Sequence, residues 1–348
     1  MSKKNKTIIL GIESSCDETA AALVKVEADS PRSTRVVAGR FKILAGVVAS
    51  QIKIHQKFGG VVPEVAARNH VKNILPVVSQ ALAKAKIKPA KIDKIAVTTG
   101  PGLITSLMVG TETAKVLAYA WKKPICSINH LKAHLYANWL TGEKIKFPAI
   151  CLIVSGGHTD LILVKNQTTF KKIGQTIDDA AGEAFDKVAQ LLKIGYPGGP
   201  IISQLAKKGN PKAFNFARPM INSDNFNFSF SGLKTSVLYT VQKLKKIDPK
   251  ITADLCASFQ QAAIDVLTSK TMKAAINYQA KTIMISGGVA ANKLLRQTME
   301  AKAKKAGLNF LMPDSALCTD NAAMIAVAGY FTKPTAWQKL RVDPNWEL

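Results

Sequence analysis

Residues 7–26, TIILGIESSCDETAAALVKV, run as an apolar stretch, a short Ser-rich loop and a second apolar stretch. Residues 149–165, AICLIVSGGHTDLILVK, repeat that plan. Each copy reads as strand, tight polar loop, strand. One such hairpin constrains little. Two of one design, about a domain apart, predict a duplicated α/β fold whose two facing lobes could clamp a nucleotide.

The rest of the chain alternates helix and strand signals, as an α/β sheet protein requires. Helices are expected at 72–86, 103–120, 131–140, 178–193, 251–277 and 320–331, with a further one ending at 305. Strands are expected at 92–98, 125–129 and 281–286. Residues 207–232, rich in Asn, Phe and Ser, read as a long ordered loop facing a site. At 348 residues the chain holds about two domains. The expected division is 1–128 for an N-terminal lobe, completed by 320–348, and 129–319 for the C-terminal lobe.

Composition narrows the partners. The 48 Lys and Arg against 23 Asp and Glu give a net charge of +25, which favours a polyanion such as nucleic acid. The same excess, mostly lysine, also fits a compositional bias without such a partner. Five scattered cysteines with no CxxC argue for reduced thiols. MSKKNK leads straight into TIILGI without the plan of a secretory signal, and 322–331 is too short to span a bilayer. A cytoplasmic protein with no membrane association is expected.

Several residues could carry chemistry. His130 and His134, spaced i, i+4, project from one helix face and could share a divalent metal, at about 2.0–2.1 Å each for zinc. The zinc protease pattern needs a Glu beside the first His, and Leu131, Lys132 and Ala133 supply none. The loop Ser155–Gly156–Gly157–His158–Thr159 could bring backbone N–H groups to a phosphate, or be an ordinary turn. SGGVAAN, 286–292, has the geometry of an anion site at a helix start, or carries Asn292 merely as an N-cap. Gly198 and Gly199 leave room for a base or ribose. Asp320 reads locally as an N-cap of the final helix. Asp17 and Glu18 are adjacent acids in the first hairpin loop that could bind a metal, orient water or take a proton, or simply form a turn.

Ten stretches occur in a familiar order: GIESSCDETA, GGVVPEVAARNHV, TTGPGLITSLMVGTETAK, NHLKAHLYA, VSGGHTDLIL, DDAAGEAFDKVAQLL, YPGGP, FSFSGLKT, SGGVAANKLLR and CTDNAAMIA. Over about residues 8–330 the chain resembles the tRNA adenosine threonylcarbamoyltransferase family, once described as O-sialoglycoprotein endopeptidases. GIESSCDETA resembles its bacterial and organellar branch. The resemblance implies a two-lobed fold like actin and the Hsp70 ATPase, built from duplicated RNase H-like lobes. It implies transfer of a threonylcarbamoyl group from threonylcarbamoyl-adenylate to N6 of adenosine 37, in tRNAs reading codons that start with A, with release of AMP.

By the same resemblance His130, His134 and Asp320 hold one iron or zinc ion. Ile153, Val154, Ser155, Gly156, Gly157, Asp186, Gly199 and Asn292 line the activated substrate, in the cleft that takes ATP- or AMP-type nucleotides. Ser203 stands where many relatives carry a substrate-binding carboxylate and is left outside the site. Asp17, Glu18 and His158 are the candidates for proton handling. The implied partners are tRNA, a paralogous chain of the same fold and a small ATPase, or a second copy of this chain instead. Three rivals remain: the non-catalytic paralogue, which lacks the His pair and SGGVAAN; a metalloprotease, which lacks a base here; and a sugar kinase or chaperone-type ATPase, which has no such His pair.

Overall fold

The apolar run that opens the chain becomes β1 (Lys6–Glu13), and its last five residues are all buried. Leu10 and Ile12 face one side of the sheet and Ile9 and Gly11 the other, as the two-residue strand period demands. The computed structural model describes residues 6–27 and 40–348. It divides into two compact units, one running to Lys144 and taking in Asp320–Leu348, the other Ile145–Thr319.

In the first unit β1 is followed by β2 (Glu18–Glu27), β3 (Arg40–Ser50), α1 (Ile52–His55), α2 (Pro63–Ala85), β4 (Lys94–Gly100), α3 (Ile104–Trp121), β5 (Ile125–Asn129) and α4 (His130–Tyr136). The sheet order is β3-β2-β1-β4-β5. β1, β2 and β3 pair antiparallel, while β4 and β5 run parallel to β1.

The second unit contains β6 (Ala149–Val154), β7 (Thr159–Val164), β8 (Phe170–Gln175), α5 (Ala181–Leu191), α6 (Gly198–Ala206), α7 (Ser231–Lys243), α8 (Pro249–Asn277), β9 (Thr282–Ser286), α9 (Lys293–Lys305), β10 (Asn309–Leu311) and α10 (Ser315–Cys318). Its sheet, β10-β9-β6-β7-β8, has the order of the first read from the opposite edge. β6–β8 are antiparallel, and β9 and β10 are parallel to β6. The duplicated α/β fold read from the paired hairpins is therefore present, sheet by sheet.

The chain then returns to the first unit as α11 (Ala322–Phe331), buried along Ala322–Gly329. α2 and α3 cover the Leu10–Ile12 face. α11 lies on the opposite face and crosses β1 at Gly11, where an added Cβ would sit 2.1 Å from the Ala322 carbonyl oxygen. A second close approach brings Gly329 against Ala96 of β4. These small residues let the helix press onto the strands, which fixes where Asp320 ends up.

Several boundaries differ from the sequence reading. The units divide at 144/145 rather than 128/129, because α4 is buried with the first unit. α2 begins at Pro63, nine residues before 72, with Pro at its first position where the missing N–H costs nothing. The helix expected over 131–140 is α4, continued by a 3₁₀ turn over Ala137–Thr141. The final helix starts at Ala322, and its cap is Asn321, whose side chain accepts from the Met324 N–H. That corrects the local reading of Asp320 as the cap. The stretch read as a loop over 207–232 ends where α7 begins, at Ser231.

Candidate metal centre and nucleotide site

α4 starts at once after β5 because Asn129 caps it, Oδ1 accepting from the Lys132 N–H at 3.0 Å. One turn presents both histidines on one face. Their rings are 85° apart with centroids at 4.6 Å, and the two Nε2 atoms approach to 3.1 Å. Asp320 Oδ1 lies 3.1 Å from His134 Nε2 and 3.4 Å from His130 Nε2. The three donor atoms fall within 4.8 Å of one another. His134 is fully buried and His130 nearly so.

Two imidazole nitrogens and a carboxylate oxygen aimed at one point fit a divalent transition metal. Three protein ligands leave positions open for substrate or water. The electrostatics agree. Burial opposes charge on His130, but Asp320 and Glu13 outweigh it and raise its pKa well above the ordinary 6.5. Burial lowers that of His134 and keeps it neutral. Burial alone would raise Asp320, yet His130 and His134 hold it well below 3.8.

Glu13, which the sequence reading passed over, is fully buried behind His130. Its Oε2 lies 3.1 Å from His130 Nδ1 and accepts from Thr98 Oγ1 at 2.6 Å, while Oε1 accepts from the Ser15 N–H. A charged residue closing an otherwise apolar central strand is the signal that could have found it.

Asp17 and Glu18 lie at the tip of the β1–β2 hairpin. Burial raises both carboxyls, and the nearby Asp320 adds to the rise; Glu18 is pushed up to about 7. Ser50 donates to Glu18 Oε1 at 2.8 Å, and Oε2 is buried without a partner among the described residues.

The remaining candidates belong to the second unit. Ile153 and Val154 are fully buried, so their side chains pack in the core and only their backbone could meet a ligand. Ser155, Gly156 and Gly157 form the turn after β6, with the Ser155 N–H donating to the His158 carbonyl and the His158 N–H to Ser155 Oγ. The loop is tied to the start of α5, whose Gly182 and Glu183 N–H groups donate to the Ser155 and Gly156 carbonyls. A Cβ built on Gly156 or Gly157 meets nothing within 4 Å, so both face open space.

Asp186 accepts from the Gly198 N–H at 2.7 Å and fixes the start of α6. Gly198 packs tightly on α5, whereas Gly199 is open. Asn292 does cap α9, through Leu294 and Leu295, and its amide nitrogen also donates to Gln260 Oε1 at 2.8 Å and to Ser203 Oγ at 3.4 Å. Beside this pair opens a cavity of about 370 Å³, edged by Ser203, Lys207, Gln260, Gln261, Lys293 and Gln297. Ser203, left out of the site on sequence, is part of its wall. Asp186, Gly199 and the Asn292 group thus cluster around α5, α6 and α9, while Asp17, Glu18 and the metal donors belong to the first unit.

A family model described as TsaD, tRNA N6-adenosine threonylcarbamoyltransferase, matches residues 42–327. The tRNA N6-adenosine threonylcarbamoyltransferase of Thermosipho melanesiensis is 53% identical over 93% of this chain and 94% of its own. That of Syntrophomonas wolfei is 48% identical over 94% and 92%. Among solved structures, T. kodakarensis HypF aligns with a TM-score of 0.60 at 12% identity, over 94% of this chain and 47% of that one. Component A of the Acidaminococcus fermentans (R)-2-hydroxyglutaryl-CoA dehydratase aligns at 0.52 and 15%, over 93% and 97%. At those identities the two structures speak for the fold alone.

Proposed function

The chain belongs to the tRNA N6-adenosine threonylcarbamoyltransferase family, and we propose that it moves a threonylcarbamoyl group from threonylcarbamoyl-adenylate to N6 of adenosine 37 in tRNAs reading codons that start with A. The observation that carries this reading is the convergence of His130, His134 and Asp320. A sugar kinase or chaperone-type ATPase has no use for such a donor set, and a protease would need a base beside His130.

In the reaction adenine N6 attacks the carbamoyl carbon, the bond to the AMP phosphate oxygen breaks, and N6 gives up a proton. N6 is a weak nucleophile because its lone pair is delocalised into the ring, so holding the reactants close is the larger task. Gly156 and Gly157 leave their backbone open to a phosphate. The cavity beside Asn292, Gln260 and Ser203 offers amides, a hydroxyl and an apolar floor to a nucleoside. Asp17, Glu18 and His158 are the proton handlers of this reading; Glu18, half-ionised near neutrality, is the best matched to that work. His130, His134 and Asp320 would hold a divalent ion, iron or zinc, which when bound would supply charge stabilisation to the reacting acyl group.

The net charge of +25 supports tRNA as the acceptor. Val71 and Leu75 on α2 and Ile104, Met108, Val116 and Tyr119 on α3 are exposed apolar side chains. They support assembly with a partner, read here as a paralogous chain of the same fold acting with a small ATPase, with self-association as the alternative. Among the described residues no helix is long and apolar enough to cross a membrane. On this reading the protein works in the cytoplasm, where tRNA is modified.

The test of the site is metal content beside product yield. His134→Ala should lose both, and Lys132→Ala, on the same helix, should keep its metal. Full metal occupancy in His134→Ala would overturn the assignment.

A further inference from the structure

Glu13 has no contact with solvent, and its carboxyl meets three partners: Thr98 Oγ1 and the Ser15 N–H donate to it, and His130 Nδ1 lies 3.1 Å from its Oε2. Both carboxyl oxygens are thus held, Oε1 by the Ser15 backbone and Oε2 between Thr98 and the His130 ring. Burying an anion is costly unless it is well paired. The first unit accepts that cost at the end of its central strand, directly behind one histidine of the donor set.

The contact also decides which nitrogen of His130 is free. Nδ1 is turned to Glu13 Oε2 at 3.1 Å and to Ser15 Oγ at 3.2 Å, so when a metal binds Nδ1 is the nitrogen that keeps its proton and Nε2 the one left for the ion. Nε2 is the atom that meets His134 and Asp320. His134 has no equivalent support: its Nδ1 is buried without a partner among the described residues. The two histidines are thus unequal, one oriented by a carboxylate and one by packing alone.

We infer that Glu13 is the positioning residue of the metal centre, fixing the ring orientation and the tautomer in which His130 meets a metal. This rests on the reading that His130, His134 and Asp320 hold a divalent ion. Glu13 touches neither the ion nor the substrate and acts through His130. Thr98 and Ser15 in turn hold Glu13, so β1, β4 and α4 are locked together behind the site.

The experiment uses Zn2+ as the probe, titrated into the full chain against a chromophoric chelator, with wild type, Glu13→Gln, Thr98→Val and His134→Ala compared. Glu13→Gln keeps the volume and removes the charge. It should bind Zn2+ about 10- to 100-fold more weakly, the usual range for losing the partner of a ligating histidine. Thr98→Val should weaken binding less than Glu13→Gln does, because it removes one donor and leaves the Glu13 carboxyl against His130.

The ring ¹⁵N spectrum of the Zn2+-loaded protein supplies a readout that a purely structural role would not move. Wild-type His130 should show a protonated Nδ1 and a metal-bound Nε2, and Glu13→Gln should shift or lose the Nδ1–H signal. Zn2+ affinity within twofold of wild type in Glu13→Gln, with the ring signal unchanged, would overturn the inference. If Glu13→Gln does not fold, the wild-type spectrum still decides, since metal on His130 Nδ1 would contradict the assignment. Unchanged binding in His134→Ala would instead overturn the metal reading itself, so the two failures are distinguishable.

Discussion

Asp320 and His134 stand 186 positions apart in the chain, and Oδ1 of the first lies 3.1 Å from Nε2 of the second. The meeting depends on Asn321 doing the capping. With the cap of α11 supplied by its neighbour, the Asp320 carboxylate is released toward α4. The two adjacent residues should therefore separate cleanly by mutation. Asn321→Ala should cost about 1 kcal/mol of stability and keep its metal, whereas Asp320→Ala should lose metal. Thermal melts beside metal analysis check this, and metal loss in Asn321→Ala alone would contradict it.

Metal binding should be linked to pH through His130. In the metal-free protein its folded pKa is raised above 6.5 by Asp320 and Glu13, against the effect of burial. Its ion-pair stabilisation is then fully present below about 6.5 and is lost as pH rises through the folded value. A metal entering the site must displace that proton, so affinity should rise with pH, by up to about tenfold per unit. Calorimetry in buffers of different ionisation enthalpy should show about one proton released per ion near neutrality. No proton release would mean that His130 is not a ligand.

Glu18 should leave its mark on the rate. Burial pushes its carboxyl up to about 7. A base works when ionised, so kcat/KM should climb through about pH 7 and level off above it. Glu18→Gln should remove that limb and lower the plateau by about 10²-fold, the low end for a general base. A folded value above the unfolded 4.5 also means that the stability linked to its proton is present below about 4.5 and lost by about 7. Glu18→Gln should accordingly be the more stable protein at pH 8, and an unchanged pH–rate limb in this variant would assign the titration elsewhere.

The glycines of the second unit divide into two kinds. An added Cβ at Gly157 meets nothing, whereas one at Gly182 falls 2.5 Å from the Ser155 carbonyl oxygen. Gly157→Val should therefore melt like wild type and raise KM for the adenylate, by about tenfold (roughly 1.4 kcal/mol of lost binding). Gly182→Val should displace the loop and lower Tm. Steady-state kinetics and melting curves test the pair; a Gly157→Val enzyme with unchanged KM would remove the loop from the substrate site.

Much of this was legible in sequence because the fold is written twice. The apolar strands flanking ESSCDE and SGGH announce β1–β2 and β6–β7, and the i, i+4 histidines announce their shared face. The edge strands β3 and β8 carry no comparable mark, since both are half-exposed and lack a clean alternation. α6 was hidden by its opening glycines, which read as a turn until Asp186 is seen holding Gly198. Asp320 and Asn321 are equally good caps on local grounds, and only the docking of α11 on Gly11 decides between them. Glu13 shows the same limit: its importance comes from β4 and α4, whose partners lie 85 and 117 positions away.

The most direct measurement supplies the protein with threonylcarbamoyl-adenylate and unmodified tRNA bearing adenosine at position 37, together with the proposed partners, a paralogous chain and a small ATPase. Digestion to nucleosides and mass analysis then read the product. Threonylcarbamoyl-adenosine should appear at position 37 with AMP formed in equal amount, and neither should appear with the His134→Ala chain. Release of AMP without the adduct on adenosine 37, with every partner present, would rule out the transfer and make the site an adenylate hydrolase.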